Sequence, residues 1–154
     1  YLYEIMSIGT GEPTRGALCR AVSSDMHKLK PLFREYYRED LNMIKTDKDL
    51  EQSITKQLAE DEVYFWDDDG VKSMVTAILP FDAGVELTNV FTLQEYRRMG
   101  YAAACIGEAC RSLLQRYPRI VLFVSQDNLA ANSLYSKIGF HLVDEMNSYT
   151  LSAK

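Results

Sequence analysis

Long apolar runs are missing from this 154-residue chain. None approaches the roughly 18–20 residues needed to cross a bilayer, so no membrane-spanning helix and no membrane partner are expected. The opening Tyr1-Leu2-Tyr3-Glu4 lacks a basic stretch leading into an apolar one, which argues against a secretory leader. An initiator Met is also absent, which reads as a chain cut from something longer, with a further domain ahead of it. Glycine (8) and proline (4) are too sparse for a fibrous or low-complexity chain. Cysteine is scarce: Cys19, Cys105 and Cys110, odd in number and without Cys-x-x-Cys spacing, make neither a disulfide framework nor a zinc site. Free thiols fit a reducing cytosol, so a cytoplasmic location is expected. An excess of positive charge is lacking as well. The net charge of −5 argues against a dedicated nucleic-acid binder, which would carry a basic face.

What is present is the composition of a globular domain, 47% hydrophobic and 25% charged, long enough for one core and not for two. The expected organisation is a single domain over 1–154, with 1–16 as a leading strand and linker and 17–154 as the core. Charge is unevenly spread. From Ser24 to Gly70 seven Lys/Arg stand against thirteen Asp/Glu, whereas from Glu95 to Arg119 five stand against two. The acidic half suits a cationic ligand and the basic segment an anionic one, unless both are simply solvated helix faces.

The hydrophobic period divides the chain further. Tyr1 to Ile8 alternates loosely, as an edge strand or a tail would, and Thr10-Gly11-Glu12-Pro13 reads as loop. Ala17 to Val22 reads as a short strand. Ser23-Ser24-Asp25 offers N-caps for a helix to about Leu41, with Leu29, Leu32, Phe33 and Tyr36 on one face. Pro31 should kink that helix or start a new one. Leu50, Ile54 and Leu58, four apart, predict a second helix over about Lys48–Asp61. β-Rich runs at Val63–Trp66 and Val71–Leu79 flank Asp67-Asp68-Asp69-Gly70, a hairpin signal rather than a calcium loop. Further strands are expected at Gly84–Thr92, Ile120–Val124 and His141–Leu151, and helices at Gly100 to about Arg116 and Leu129–Lys137, with Gly139 closing the latter. The expected fold class is α+β, or mixed α/β: a mainly antiparallel sheet, about four helices, and one parallel pair made by a βαβ crossover.

Two segments carry chemistry. Gln94-Glu95-Tyr96-Arg97-Arg98-Met99-Gly100-Tyr101-Ala102-Ala103-Ala104 joins a strand to a helix. Helix N-termini offer unpaired N–H groups and a positive dipole end to phosphates, and Gly100 would let a ligand approach the backbone. It is neither a P-loop nor a Rossmann fingerprint, and a packing helix with two solvated arginines would look the same. The second segment runs from Asn128 to Phe140. Asn128 is a plausible N-cap, and Tyr135 lies two turns on, beside Ala131 or Asn132. A tyrosine so spaced also suits a half-buried core position. His27 and His141 have no partner pattern.

Together the segments resemble the GCN5-related N-acetyltransferase (GNAT) superfamily. Arg97-Arg98-Met99-Gly100-Tyr101-Ala102 matches its Arg/Gln-x-x-Gly-x-Gly/Ala pyrophosphate loop, and Asn128-x-x-Ala131-x-x-x-Tyr135-x-x-x-Gly139-Phe140 its C-terminal cofactor motif. The resemblance is to the C-terminal catalytic half of larger two-domain members. It implies a twisted sheet whose parallel strands splay around acetyl-CoA, and transfer of acetyl to a primary amine of a small molecule or peptide by direct attack. Backbone groups of Val90-Phe91-Thr92 would hold pantetheine, one of them polarising the thioester carbonyl. The amides of Arg98, Met99, Gly100, Tyr101 and Ala102, with Arg97 beside them, would hold the pyrophosphate, and Asn128 and Asn132 the coenzyme arm. Tyr135 would be the general acid and Glu86 a base acting through water, although Glu86 also suits an ordinary strand carboxylate. Cys105 and Cys110 are expected in a helix interior, not as nucleophiles. Leu93-Gln94 departs from the proline often found there. The resemblance implies an amine acceptor as partner, with Asp40, Asp47, Asp49, Glu60 and Glu62 favouring a cation; it implies no metal and leaves a homodimer open. The alternatives are a catalytically inactive GNAT-like domain that binds CoA or regulates a partner domain, and an unrelated nucleotide-binding α/β domain.

Overall fold

The structure, a computed structural model, describes residues 1–12, 14–81 and 84–145, with the backbone alone at 79–81. In chain order the elements are β1 (Leu2–Ile5), β2 (Ala17–Arg20), α1 (Met26–Glu39), α2 (Asp47–Glu60), β3 (Glu62–Asp67), β4 (Val71–Phe81), β5 (Gly84–Thr92), α3 (Tyr101–Leu114), β6 (Ile120–Phe123), α4 (Leu129–Ile138) and β7 (His141–Asp144). The strands form one sheet in the order β2-β3-β4-β5-β6-β1-β7. Among the described residues only β5 and β6 run parallel, and α3 is their crossover. Among the described residues no helix is long and apolar enough to cross a membrane.

Strand alternation sends successive side chains to two different cores. Along β3, Val63 and Phe65 meet Leu29, Leu32 and Phe33 of α1 and Leu50 and Ile54 of α2. Tyr64 and Trp66, between them, meet Cys105, Ile106, Ala109, Cys110 and Leu113 of α3 on the opposite face. The expected spacing on α2 holds at Leu50 and Ile54, both fully buried, with Leu58 at the margin. Thr46 caps that helix by accepting from the Asp49 N–H at 3.1 Å.

The beginning of the chain differs from its reading as an edge strand or tail. β1 is an interior strand, paired to β6 on one side and β7 on the other. The edges are β2 and β7. α1 also differs. Ser23–Asp25 forms a short 3₁₀ turn, and the Asp25 carboxylate reaches back to the Val22 N–H at 3.0 Å rather than capping forward. One helix spans Met26–Glu39 with Pro31 inside it, so Pro31 does not start a new helix; its exposed ring leaves the His27 carbonyl without the usual N–H donor. The last strand is present over His141–Asp144, and the rest of the segment expected to reach Leu151 lies outside the described residues.

Glu62, at the start of β3, is 4% exposed. Its carboxylate accepts both Arg116 guanidinium nitrogens at 2.8 Å, lies 3.2 Å from Arg20, and accepts the Tyr64 hydroxyl. These donors hold its pKa down at about 2 against an ordinary 4.5. A carboxyl more acidic in the folded state stabilises the fold above its unfolded pKa, and loses that contribution as pH falls through the folded one. The unfolding free energy should therefore drop by about 3 kcal/mol between pH 5 and pH 2 through this group. Urea titrations of wild type and Glu62→Gln at both pH values check this: the variant should lack that part of the drop. An identical pH dependence in the two proteins would contradict it.

Candidate active site

β5 and β6 part company soon after they meet. Their register runs Val85↔Ile120, Glu86↔Val121 and Leu87↔Leu122, and stops. Beyond that point β6 stays with β1, through Leu2↔Phe123 and a bond from the Val124 N–H to the Tyr1 carbonyl at 3.0 Å. β5 stays with β4 but carries a bulge: Thr88 lies opposite Thr76 and Phe91 opposite Met74, three steps against two. Asn89 in the bulge has φ +48, a left-handed backbone that asparagine tolerates better than most residues. From the bulge to Thr92 that edge of β5 has no paired strand among the described residues, a gap that forms a V between the parallel strands. Past the bulge, the Leu93 N–H donates to the Lys72 carbonyl on the β4 side, so strand alternation turns the Thr92 N–H toward the V.

The loop that follows is shaped by backbone conformation. After a 3₁₀ turn at Gln94–Tyr96, Arg98 has φ +61 and Gly100 φ +86. Such alternation curls consecutive N–H groups into a concave nest. Ala104 makes the first intrahelical bond, to the Gly100 carbonyl at 3.0 Å, so the N–H groups of Tyr101, Ala102 and Ala103 have no partner within α3. They face a cavity of about 320 Å³ lined by Thr92, Arg98, Gly100, Ala102, Ser133 and Lys137 among others. A Cβ built on Gly100 would meet nothing within 4 Å, so this position is open space. Donors, a positive helix end and two flanking cations suit a phosphorylated ligand.

The expected site residues divide on inspection. Arg97 lies in the loop, but its guanidinium is spoken for: Nε donates to the Thr92 carbonyl at 2.9 Å, Nη2 pairs with Glu39 of α1 at 2.6 Å, and the group lies over the Phe91 ring. It braces loop to helix. Met99 is 57% exposed and lines a second, larger cavity of about 1110 Å³ together with Gly9, Glu12, Trp66 and Arg111 among others. Tyr101 donates its hydroxyl to Asp68 at 2.7 Å and meets Tyr96 edge-on, which pins the start of α3 to the β3–β4 turn. Asn128 caps α4 through the Ala131 N–H at 3.1 Å and keeps its side-chain NH₂ group exposed. Asn132 is used up within the protein. Its NH₂ donates to the carbonyls of Ser125 and Asn128 at 3.0 and 2.9 Å, and its carbonyl accepts the Tyr3 hydroxyl at 3.0 Å.

Tyr135 is buried, with its ring against Tyr3 and Phe140. Burial, with the negative charge of Asp40 behind it, pushes the phenol up to about 12. Glu86 is half-buried on the opposite face of the sheet, alternating with the inward Val85 and Leu87, and burial raises its carboxyl too. The two side chains form no hydrogen-bonded pair.

Of the acidic residues expected to favour a cation, Glu62 is consumed by Arg116 and Asp47 pairs with Arg34. Asp49 bonds to Thr46, and Glu60 lies 4.0 Å from Lys56. Asp40, at the C-terminal end of α1, has no ion pair among the described residues; burial and the neighbouring Glu39 raise its carboxyl, while Arg97 opposes them. It also raises the Tyr36 phenol, so it lies near both tyrosines. Sequence reasoning gave Tyr36 only a packing face of the first helix and passed over Asn89. A lone Asn inside a β-rich run was the available signal, since Asn is a residue that tolerates left-handed backbone. Cys105 and Cys110 are wholly buried in α3, and burial raises both thiols, Cys110 to about 12, so neither is a ready nucleophile. His27 and His141 are exposed.

Comparison with known proteins bears on this geometry. The model of the acetyltransferase (GNAT) family matches residues 26–140. No curated protein matches the sequence. Several solved structures share the fold. One, described as "a probable acetyltransferase", is 23% identical with a TM-score of 0.76, over 90% of this chain and 98% of its own. An aminoglycoside antibiotic 6′-N-acetyltransferase from Acinetobacter baumannii is 16% identical with a TM-score of 0.70, over 90% and 99%. A predicted acetyltransferase from Clostridium acetobutylicum, solved with acetyl-CoA, is 18% identical with a TM-score of 0.65, over 88% and 96%.

Proposed function

The chain belongs to the acetyltransferase (GNAT) family, and from that premise we propose that it moves an acetyl group from acetyl-CoA to a primary amine of a small molecule or peptide by direct attack. The observation that supports this best is the V between β5 and β6, which opens onto the left-handed loop and the open N-terminus of α3. Pantetheine lies along β5 and bonds to backbone groups of Val90 and Thr92. The pyrophosphate lies on the amides of Arg98 to Ala102, and the exposed NH₂ of Asn128 reaches the coenzyme arm.

In the transfer, the amine nitrogen attacks the thioester carbon and the carbon–sulfur bond breaks. The Val90 N–H faces the developing oxyanion. The amine loses its proton through water to Glu86, whose burial-raised carboxyl is a better base than an exposed one. The departing sulfur takes a proton from Tyr135. A phenol near 12 is a reluctant acid toward a thiolate whose ordinary pKa is about 8.5. The sulfur, however, leaves into the same desolvated gap, which raises its own proton affinity. Asp40, unpaired beside this gap, favours a cationic acceptor.

Acetyl-CoA should raise the Tm. A ligand at a hundred times its Kd that binds only the native state adds ~2.7 kcal/mol, which is about 5–10 °C for a domain of this size. Thermal unfolding with and without acetyl-CoA checks the binding, and a panel of amines assayed by CoA release checks the transfer. No shift with acetyl-CoA at millimolar concentration would sink the reading.

A further inference from the structure

Asn89 does more than permit a bulge. For backbone conformation alone glycine serves best at φ +48. The side chain that stands there is tied on three sides. Its Oδ1 accepts the Tyr36 hydroxyl of α1 at 2.8 Å, its Nδ2 donates to Gln57 Oε1 of α2 at 3.3 Å, and Thr76 Oγ1 of β4 lies 3.5 Å away. The short bond is the one to Tyr36. That phenol is raised by burial and by Asp40, so it stays a neutral donor across the working pH range, and its ring meets Phe91 edge-on. One turn further along α1, Glu39 holds Arg97 and so the other end of the cofactor stretch. A single helical turn, Tyr36 to Glu39, thus grips β5 at the bulge and again at the loop.

We propose that Tyr36, Asn89 and Gln57 are positioning residues that fix the bulge, and with it the Val90 N–H, at the orientation that polarises the thioester carbonyl. This rests on the reading of β5 as the strand that carries acetyl-CoA. Because the ties run to α1 and α2, a displacement of either helix is passed directly to the carbonyl. Carbonyl polarisation and the seating of those two helices are then one event. A network serving only stability would keep the strand paired and leave the bound carbonyl unaffected by its loss.

The test uses Asn89→Gly, which keeps the left-handed backbone accessible and removes only the side-chain ties. The probe is acetyl-CoA labelled with ¹³C at its carbonyl, and the readouts are the infrared stretch of the bound carbonyl, the Kd, and the slow hydrolysis of acetyl-CoA. Wild type should show a carbonyl stretch below that of free acetyl-CoA. In Asn89→Gly the Kd should stay within about threefold, while the stretch returns toward the free value and hydrolysis falls ~10-fold, a fraction of the ~10²–10³ lost with a whole oxyanion donor. Tyr36→Phe, which keeps the ring on Phe91, should move both readouts the same way, and it decides the matter if the glycine variant does not fold. A folded variant with wild-type stretch and hydrolysis overturns the proposal. A wild-type protein that binds acetyl-CoA without shifting its carbonyl overturns instead the reading of β5 on which the proposal rests.

Discussion

Gly100→Glu is expected to weaken acetyl-CoA binding by ~10²-fold or more, the equivalent of ~3 kcal/mol. The new Cβ meets nothing within 4 Å, so the substitution is not excluded by packing, and the fold bears only the cost of an L side chain at φ +86, about 1–2 kcal/mol. The carboxylate, however, projects into the cavity at the start of α3, where the open N–H groups and Arg98 lie. It competes for those donors and repels a pyrophosphate across a few ångströms. Gly100→Asn separates the two effects, because asparagine tolerates this backbone and carries no charge; its affinity should fall by no more than ~10-fold. Calorimetric titration of the three proteins with acetyl-CoA measures both values. A glutamate variant that binds like wild type would remove the pyrophosphate from this loop.

Tyr135→Phe should lower kcat by ~10²-fold or more with the Kd for acetyl-CoA nearly unchanged, since a general acid contributes about 10²–10⁴. The ring that meets Tyr3 and Phe140 is kept, so the fold should be little affected. The pH profile gives a second check. A phenol raised to about 12 remains protonated, and so competent as an acid, until the pH approaches that value. Wild-type kcat should therefore show no alkaline decline below about pH 11 from this group, even though an unperturbed tyrosine would be half ionised near pH 10. A wild-type midpoint of loss near 8 or 9, unchanged in the phenylalanine variant, would assign the proton to another donor. Full turnover in the variant would return Tyr135 to a packing role.

The features legible in the sequence are those with a local cause. Ile120–Val124 reads as a buried strand because an unbroken apolar run suits a strand covered on both faces; Ile120, Val121 and Leu122 are buried, but Phe123 is 53% exposed and the strand ends there. Gly100 and Gly139 both sit at helix boundaries with positive φ, where lack of a Cβ is the requirement. Asp67–Gly70 turns because the Asp67 side chain accepts the Gly70 N–H at 3.0 Å. What escaped notice depends on partners distant in sequence. The capture of Arg97 by Glu39 joins residues 58 apart, and no spacing within the motif reveals it. Asn132 matches a cofactor position by pattern, yet its NH₂ group is committed to the β6–α4 loop and its carbonyl accepts the Tyr3 hydroxyl. The bulge was hidden for a similar reason, since strand propensity reports the pairing of β5 and not the single residue inserted into it.

The insertion of β1 between β6 and β7 constrains the order in which the domain can assemble. The Tyr1 nitrogen donates to the Val124 carbonyl, 123 residues along the chain. During synthesis, β3, β4 and β5 can pair as they emerge, because short loops join them, and β2 reaches β3 across the intervening α1 and α2. β1 leaves the ribosome before all of them and has no neighbour until β6 and then β7 follow, the last of the described strands to appear. The largest loop closure in the molecule is thus the final one, and contacts of such long sequence separation slow folding. Until then Tyr3 and Ile5, destined for the core, remain uncovered, and the free edge of β6 has no strand beside it. A nascent chain stalled just before β6 would be an aggregation-prone species, and a slow refolding phase should be read out by probes on β1 rather than on the β3–β4 and β4–β5 hairpins.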